Sequence, residues 1–298
     1  MAEIKYWREE KRTMLKDVVP LDTPYNISIE ASSLCNFRCV YCAHSDPNHG
    51  VYEGNMSWEL FERVIRDIKE FPQKIKLIET FCFGEPLCNP RLADMIATIR
   101  HENIADKINF TTNGALFTPK RIDEILAAGV DTIRISLQGL DEEGYRKICG
   151  ANIKFVDFLA NLRYLYNNRG KCKVRMKIAN IAIRDIPDGE KKFEEMFGDM
   201  ADSIFVEHIL PIYDCVDYDK VDKSIKDNAI NGRGNVKQTE MHKVCHRPFY
   251  RLRVAADGKV TAFCCDSPND FVYGNIYENN LKSIWGGGST YYIIENAA

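Results

Sequence analysis

The sequence predicts an α/β fold: a partial (β/α)6 TIM-type barrel with a small C-terminal hairpin-plus-helix extension. Three observations carry this. Strand-like and helix-like stretches alternate six times over residues 26–212. The strands alternate apolar and polar side chains, and a hairpin pattern follows, turned at Asp257 and Gly258. Regular alternation of this kind gives parallel strands joined by crossover helices, and six units fall short of a closed TIM barrel.

NISIEAS (26–32) sets Ile27 and Ile29 on one face of a first strand. SWELFERVIRDIKEF (57–71) places Leu60, Phe61, Val64, Ile65 and Ile68 at helical spacing behind Ser57, a good N-cap. KIKLIETFCF (74–83) is strand-like, RLADMIATIRHEN (91–103) helical, and KINFTTNG (107–114) a strand ending in a turn. TPKRIDEILAAG (118–129) opens on Thr118 and Pro119 and stops at Gly129, the usual asymmetry of a helix. DTIRISLQG (131–139) is a strand, and two helical stretches follow it, DEEGYRKICG and FVDFLANLRYLYNN. KVRMKIANIAI (173–183), EKKFEEMFGDM (190–200) and SIFVEHILPI (203–212) complete the series.

The strands also carry an orientation. Ile133, Ile135 and Leu137 face the helices, which turns Arg134, Ser136 and Gln138 to the lumen. Val174, Met176 and Ile178 face outward, with Arg175 and Lys177 inward. A barrel with a polar lumen binds something. Residues 1–25 precede the barrel as an extension. Residues 213–243 are polar and weakly patterned, and read as a surface connection. Residues 244–298 form the hairpin-plus-helix extension, with a short helical turn over Asn280 to Trp285.

The formal net charge of −3 gives no field for nucleic acid or a membrane surface. The opening MAEIKYWREEKRTMLKD lacks an apolar signal core, and no apolar run approaches a bilayer span, so a cytoplasmic location is expected. Eleven cysteines are many for a reducing compartment, and three of them crowd into eight residues. Clustered cysteines there read as metal ligands rather than disulfides.

Those three, Cys35, Cys39 and Cys42, form a CxxxCxxC in SLCNFRCVYCAHS, directly after the first strand. That is the end of a βα barrel where chemistry sits. Three thiolates bind three irons of a [4Fe–4S] cube and leave the fourth iron open. A structural zinc site would need a fourth ligand, from His44 or a distant cysteine. A thioredoxin-like reading of CVYC strands Cys35 and follows the wrong topology.

The spacing, at this place, resembles the radical S-adenosylmethionine (SAM) superfamily, and Tyr41 matches the aromatic that precedes the third cysteine there. The resemblance implies a [4Fe–4S] cluster whose open iron chelates SAM. It also implies cleavage to a 5′-deoxyadenosyl radical that takes a substrate hydrogen, and an external electron donor such as flavodoxin or ferredoxin. Gly84, Glu85 and Pro86 look like the family's GEP element, which receives the SAM amino group; Phe83 stands where a first glycine is common. Asn113, in the Thr112–Gly114 turn, and Ser136 and Gln138 occupy positions the family uses toward the SAM ribose or carboxylate. Lys177 is a candidate partner for the SAM carboxylate.

The stretch CHRPFYRLRVAADGKVTAFCCDSPNDFVYGNIYENNLKSIW (245–285) resembles the SPASM/twitch extension of such enzymes, which holds an auxiliary iron–sulfur cluster. The resemblance implies Cys245 and Cys264 as ligands, with Cys265 an alternative to the second. The family's closing cysteines have no counterpart before IENAA, so the expectations are a truncated sequence, a site completed by a residue such as Cys215, or a second cluster that is labile, incomplete or missing. The resemblance further implies a small-molecule substrate such as a sugar or cyclitol, oxidised or epimerised, with Cys215 a candidate hydrogen donor. No winged-helix module precedes the barrel, which weighs against the alternative of a peptide maturase. A non-catalytic metal-binding module is the third reading.

Overall fold

The computed structural model describes residue 2 and residues 13–50, 52–223, 225, 246–262 and 272–287. Six strands run parallel in the sheet order 6-5-4-3-2-1: β1 (Asn26–Ile29), β2 (Ile75–Glu79), β3 (Ala105–Thr112), β4 (Thr132–Leu137), β5 (Lys173–Ala179) and β6 (Ser203–Glu207). Helices α1 (Trp58–Ile68), α2 (Leu92–His101), α3 (Pro119–Ala127), α4 (Glu142–Cys149), α5 (Phe155–Asn168) and α6 (Gly189–Phe197) form the crossovers. The partial parallel barrel read from the alternation is the observed fold.

Local chemistry explains the helix starts. The Ser57 hydroxyl accepts the Leu60 N–H at 3.1 Å, and Thr118 caps α3 through Arg121 N–H with Pro119 in the first turn. Gly129 then takes a φ of +89°, which ends α3 at little strain. The apolar stripe of α1 is buried as its spacing requires, with Phe61 fully buried. Burying such a ring is worth about 2–3 kcal/mol before entropy is counted.

The lumen is polar as the strand pattern demands. Arg134 lies beside Arg175, and Ser136 beside Lys177, across β4 and β5. Like charges set opposite each other destabilise a sheet, so they need counter-ions. Glu79 on β2 supplies one, accepting from Arg134 at 3.0 Å, from Asn26 at 3.1 Å and from Arg251 at 2.5 Å. Further along β5, Glu207 on β6 balances the charge of Lys177 at 2.5 Å.

The hairpin extension continues the barrel sheet. Its first strand, β7 (Arg251–Val254), pairs parallel with β1, in the register Asn26↔Arg251 to Ile29↔Val254. β8 (Lys259–Thr261) and β9 (Val272–Asn275) add antiparallel, so all the described strands form a single nine-stranded sheet. Gly258, at φ +88°, turns the hairpin. Within the connection, residues 218–221 form the short helix α7 (Tyr218–Val221). The final helix, α8 (Leu281–Gly286), docks on α1 through Leu281 N–H to Asp67 at 2.9 Å, while Trp285 Nε1–H donates to Leu21 O at 2.6 Å. Among the described residues no helix is long and apolar enough to cross a membrane.

Candidate active site

Each strand ends earlier than its sequence pattern, and the residues beyond it build one site. After β1 the chain leaves the sheet at Glu30 and enters the cysteine loop. Backbone bonds hold that loop to α4: Arg38 N–H to Cys149 O and Val40 N–H to Ile148 O, both 2.9 Å. The Arg38 guanidinium closes it from within, donating to Cys35 O at 2.8 Å and Phe37 O at 3.0 Å.

Cys35, Cys39 and Cys42 are partly buried and lie close enough to raise one another's thiols. Burial is the main cause for Cys35, pushed up to about 12, and for Cys42. Cys39 is raised chiefly by a hydrogen bond with the Cys149 thiol, then by burial. All three are therefore protonated near neutral pH, and a bound metal must displace those protons.

The donor set fits an iron–sulfur cube. Three thiols on one loop, near enough to raise one another, can each ligate its own iron and leave the fourth open.

The element after β2 braces this loop. Glu85 N–H donates to Leu34 O at 2.7 Å, so the two backbones nearly touch at Gly84. A Cβ on Gly84 would lie 2.4 Å from Ser32 O and 2.6 Å from Leu34 O, which is why glycine is needed there. Pro86 opens the 3-10 turn Pro86–Cys88. The Glu85 carboxylate does not stand free toward a ligand, which departs from the expected role. Thr112 Oγ1–H donates to it at 2.6 Å, Asn113 N–H at 2.7 Å and Leu87 N–H at 3.0 Å, and the residue is buried. The carboxylate thus joins the ends of β2 and β3, because those backbone donors would otherwise be buried without partners.

That arrangement has a pH signature. Burial pushes the Glu85 carboxyl up from 4.5 to about 7, against the three hydrogen bonds and Arg121, which pull it down. An acid raised in the folded state binds more protons folded than unfolded, so its contribution to stability is lost as pH rises from about 4.5 to 7. The metal-free chain is expected to resist urea better at pH 5 than at pH 8, by a margin that shrinks in Glu85→Gln. Identical pH dependence in the two proteins would exclude Glu85 as its source.

Other expected residues meet in pairs. Tyr41 donates its hydroxyl to Gln138 Oε1 at 2.5 Å, and Gln138 Nε2 reaches Ser136 O at 3.4 Å. Asn113 Nδ2 donates to Asn36 Oδ1 at 2.7 Å, tying the β3 turn to the cysteine loop. Lys177 is engaged by Glu207. Cys215 is exposed and near enough to Cys42 to raise its thiol. It lines a cleft of about 580 Å³ with Val40, Ser45, Asp46, Lys147 and Arg184. Cys245, Cys264 and Cys265 lie outside the described residues.

Sequence reasoning missed Asn36, Arg38, Cys149 and Tyr218. Tyr218 accepts Ile212 and Tyr213 N–H at 3.2 Å and donates to Tyr41 O at 3.3 Å, pinning the segment after β6 to the cysteine loop. The signal for Asn36 and Arg38 was present, since both sit between the cysteines. Cys149 and Tyr218 carried none.

Residues 29–180 match the family model of the Radical SAM superfamily, and residues 245–294 match SPASM, an iron–sulfur cluster-binding domain. The tungsten-containing aldehyde ferredoxin oxidoreductase cofactor-modifying protein of Pyrococcus furiosus is 22% identical over 86% of this chain and 79% of its own length. BtrN in complex with AdoMet and 2-DOIA is 18% identical, with a TM-score of 0.54 over 91% of this chain and 85% of that one. SuiB of Streptococcus suis, bound to its precursor peptide SuiA, is 14% identical, with a TM-score of 0.65 over 91% of this chain and 66% of that one.

Proposed function

Because this chain belongs to the radical SAM superfamily, with a SPASM match in its C-terminal part, we propose that Cys35, Cys39 and Cys42 hold the [4Fe–4S] cluster that binds SAM. When bound, the cluster and SAM supply one-electron cleavage and a 5′-deoxyadenosyl radical that takes a hydrogen atom from substrate. The observation that carries this is the grouping of three thiols on a loop braced by Gly84 and Glu85 at the C-terminal end of β1.

In this reading the protein's own residues position and shield. Gly84, Glu85 and Pro86 brace the loop, and their backbone borders the SAM amino group. Tyr41, Ser136 and Gln138 form a hydrogen-bonded wall toward the ribose, with Asn113 beside it. Lys177, which pairs with Glu207 in this structure, is the proposed partner of the SAM carboxylate. Cys245 and Cys264 are the proposed first ligands of a second cluster. A flavodoxin or ferredoxin is the proposed electron donor.

The substrate is a small polar metabolite such as a sugar or cyclitol, oxidised or epimerised. The cleft beside Cys215 supports this, since about 580 Å³ with Lys147, Arg184 and Asp46 on its walls is of metabolite size and polarity. Cys215 is a candidate hydrogen donor, and its thiol is raised, by burial and by Asp46, so it keeps its proton near neutral pH.

The test is turnover in D2O with low-molecular-mass and peptide fractions offered separately. The small-molecule fraction is expected to stimulate 5′-deoxyadenosine formation. If the net reaction is epimerisation, product gains one solvent deuterium, and Cys215→Ser stops that labelling while leaving 5′-deoxyadenosine formation intact. Stimulation by the peptide fraction alone would sink the substrate class.

A further inference from the structure

The loop that follows the cysteines carries a second constellation that the radical chemistry does not use. His44 lies two residues beyond Cys42, in the 3-10 turn Ala43–Ser45. It is 2% exposed, and both of its ring nitrogens are buried without a hydrogen-bond partner. An imidazole taken out of water in that state forfeits the hydrogen bonds that solvent gave it. Something must interact with at least one nitrogen for the placement to be favourable.

The neighbours are suited to it. His49 meets His44 edge to face, with ring centroids 4.9 Å apart at 73°. The two rings are therefore close without being stacked. His49 Nε2 lies 3.4 Å from Glu53 Oε1. One ligand atom from each of His44, His49 and Glu53 falls within 4.8 Å of the others. A tetrahedral ion with ligands at about 2.0 Å separates them by about 3.3 Å. The His49–Glu53 edge already has about that length, at 3.4 Å, and His44 offers a nitrogen within 4.8 Å of both.

We propose that His44, His49 and Glu53 form a binding site for one zinc ion, separate from the cysteine site. Two imidazoles and a carboxylate suit a borderline divalent ion rather than calcium or magnesium, which prefer an all-oxygen shell. The set also leaves one coordination position for water, and the side chain of Glu53 is 52% exposed, so solvent reaches the site from that side. The bound ion takes a nitrogen of His44 that nothing else in the described structure engages.

The place of the site gives it a task. The loop starts directly at Cys42 and returns to the cysteine loop's own root, where Ser33 N–H donates to Gly54 O at 2.9 Å and Met56 N–H to Ala31 O at 3.0 Å. An ion joining His44 to His49 and Glu53 fastens the first turn of this loop to its last. It thereby limits the excursions of Cys42, the residue to which the loop is attached.

Cluster-loaded protein, passed over a chelating resin and titrated anaerobically with zinc, is expected to take up one zinc per chain beyond its cluster iron. The zinc K-edge should show a nitrogen and oxygen shell near 2.0 Å and no sulfur shell near 2.3 Å. Glu53→Gln changes a half-exposed side chain and His49→Ala a second ligand. Each is expected to weaken zinc binding by about tenfold or more with the cluster absorbance unchanged. A sulfur shell would place the zinc on cysteines and overturn the proposal. So would no uptake of zinc, or unchanged affinity in both variants.

Discussion

Alanine at any one of Cys35, Cys39 or Cys42 is expected to reduce reductive SAM cleavage to background. A cube with one open iron requires three protein ligands, and each thiol ligates its own iron. Removing one leaves two irons without protein ligands and frees the chelating position from control. The neighbouring thiols Cys88, Cys149 and Cys215 stand outside the motif's loop, and Cys149 already donates to Tyr145 O at 2.9 Å. Folding is not the cause, because the loop is held by backbone bonds to α4 and to Gly54 that a side-chain truncation spares. Cys172→Ala is the control, since Cys172 is buried just before β5, with its sulfur 3.8 Å from Lys173 O. Undiminished 5′-deoxyadenosine from a triple alanine variant, measured after anaerobic reconstitution, would refute the ligand assignment.

The largest expected effect on stability lies where the hairpin meets the barrel. Arg253 on β7 is 3% exposed and donates to Glu30, fully buried at the end of β1, at 2.7 Å. The other Glu30 oxygen accepts Phe83 N–H at 3.0 Å, and Ala256 N–H adds a bond of 3.2 Å. Arg253→Met leaves the Glu30 charge buried without its counter-ion. Breaking a buried pair in this way costs about 3–5 kcal/mol, a large part of the roughly 5–15 kcal/mol that holds a domain folded. Adding Glu30→Gln removes the orphaned charge and is expected to recover part of the loss. Urea unfolding of the single and double variants measures this, and a loss below about 1 kcal/mol in Arg253→Met would show that the pair does not bear on stability.

Much of the fold was legible because side-chain alternation reports which face of a strand meets the helices. Ile133, Ile135 and Leu137 are fully buried, while Arg134 and Ser136 are only partly so. The ends of strands were read too long for a physical reason. Phe81, Phe83, Ile181, Ile183 and Ile209 continue the apolar pattern, yet the backbone has already left the sheet to make the site. The hairpin was legible from Asp257 and Gly258, but its seat beside β1 was not, since that pairing joins residues 225 apart, as Asn26 and Arg251 are. The cysteine motif is local and was read directly. Its supports, such as Tyr41 on Gln138 and Cys39 on Cys149, are contacts between distant segments, and no spacing rule announces them.

One measurement bears most directly on the central claim: anaerobic reconstitution of the chain, with iron, sulfide and zinc counted and 5′-deoxyadenosine measured after adding SAM and dithionite. The account predicts at least four irons and four sulfides per chain, in the count of one cube, with 5′-deoxyadenosine formed in proportion to cluster content. Zinc held by sulfur with no 5′-deoxyadenosine at any iron loading would contradict it and leave a metal-binding module without radical chemistry.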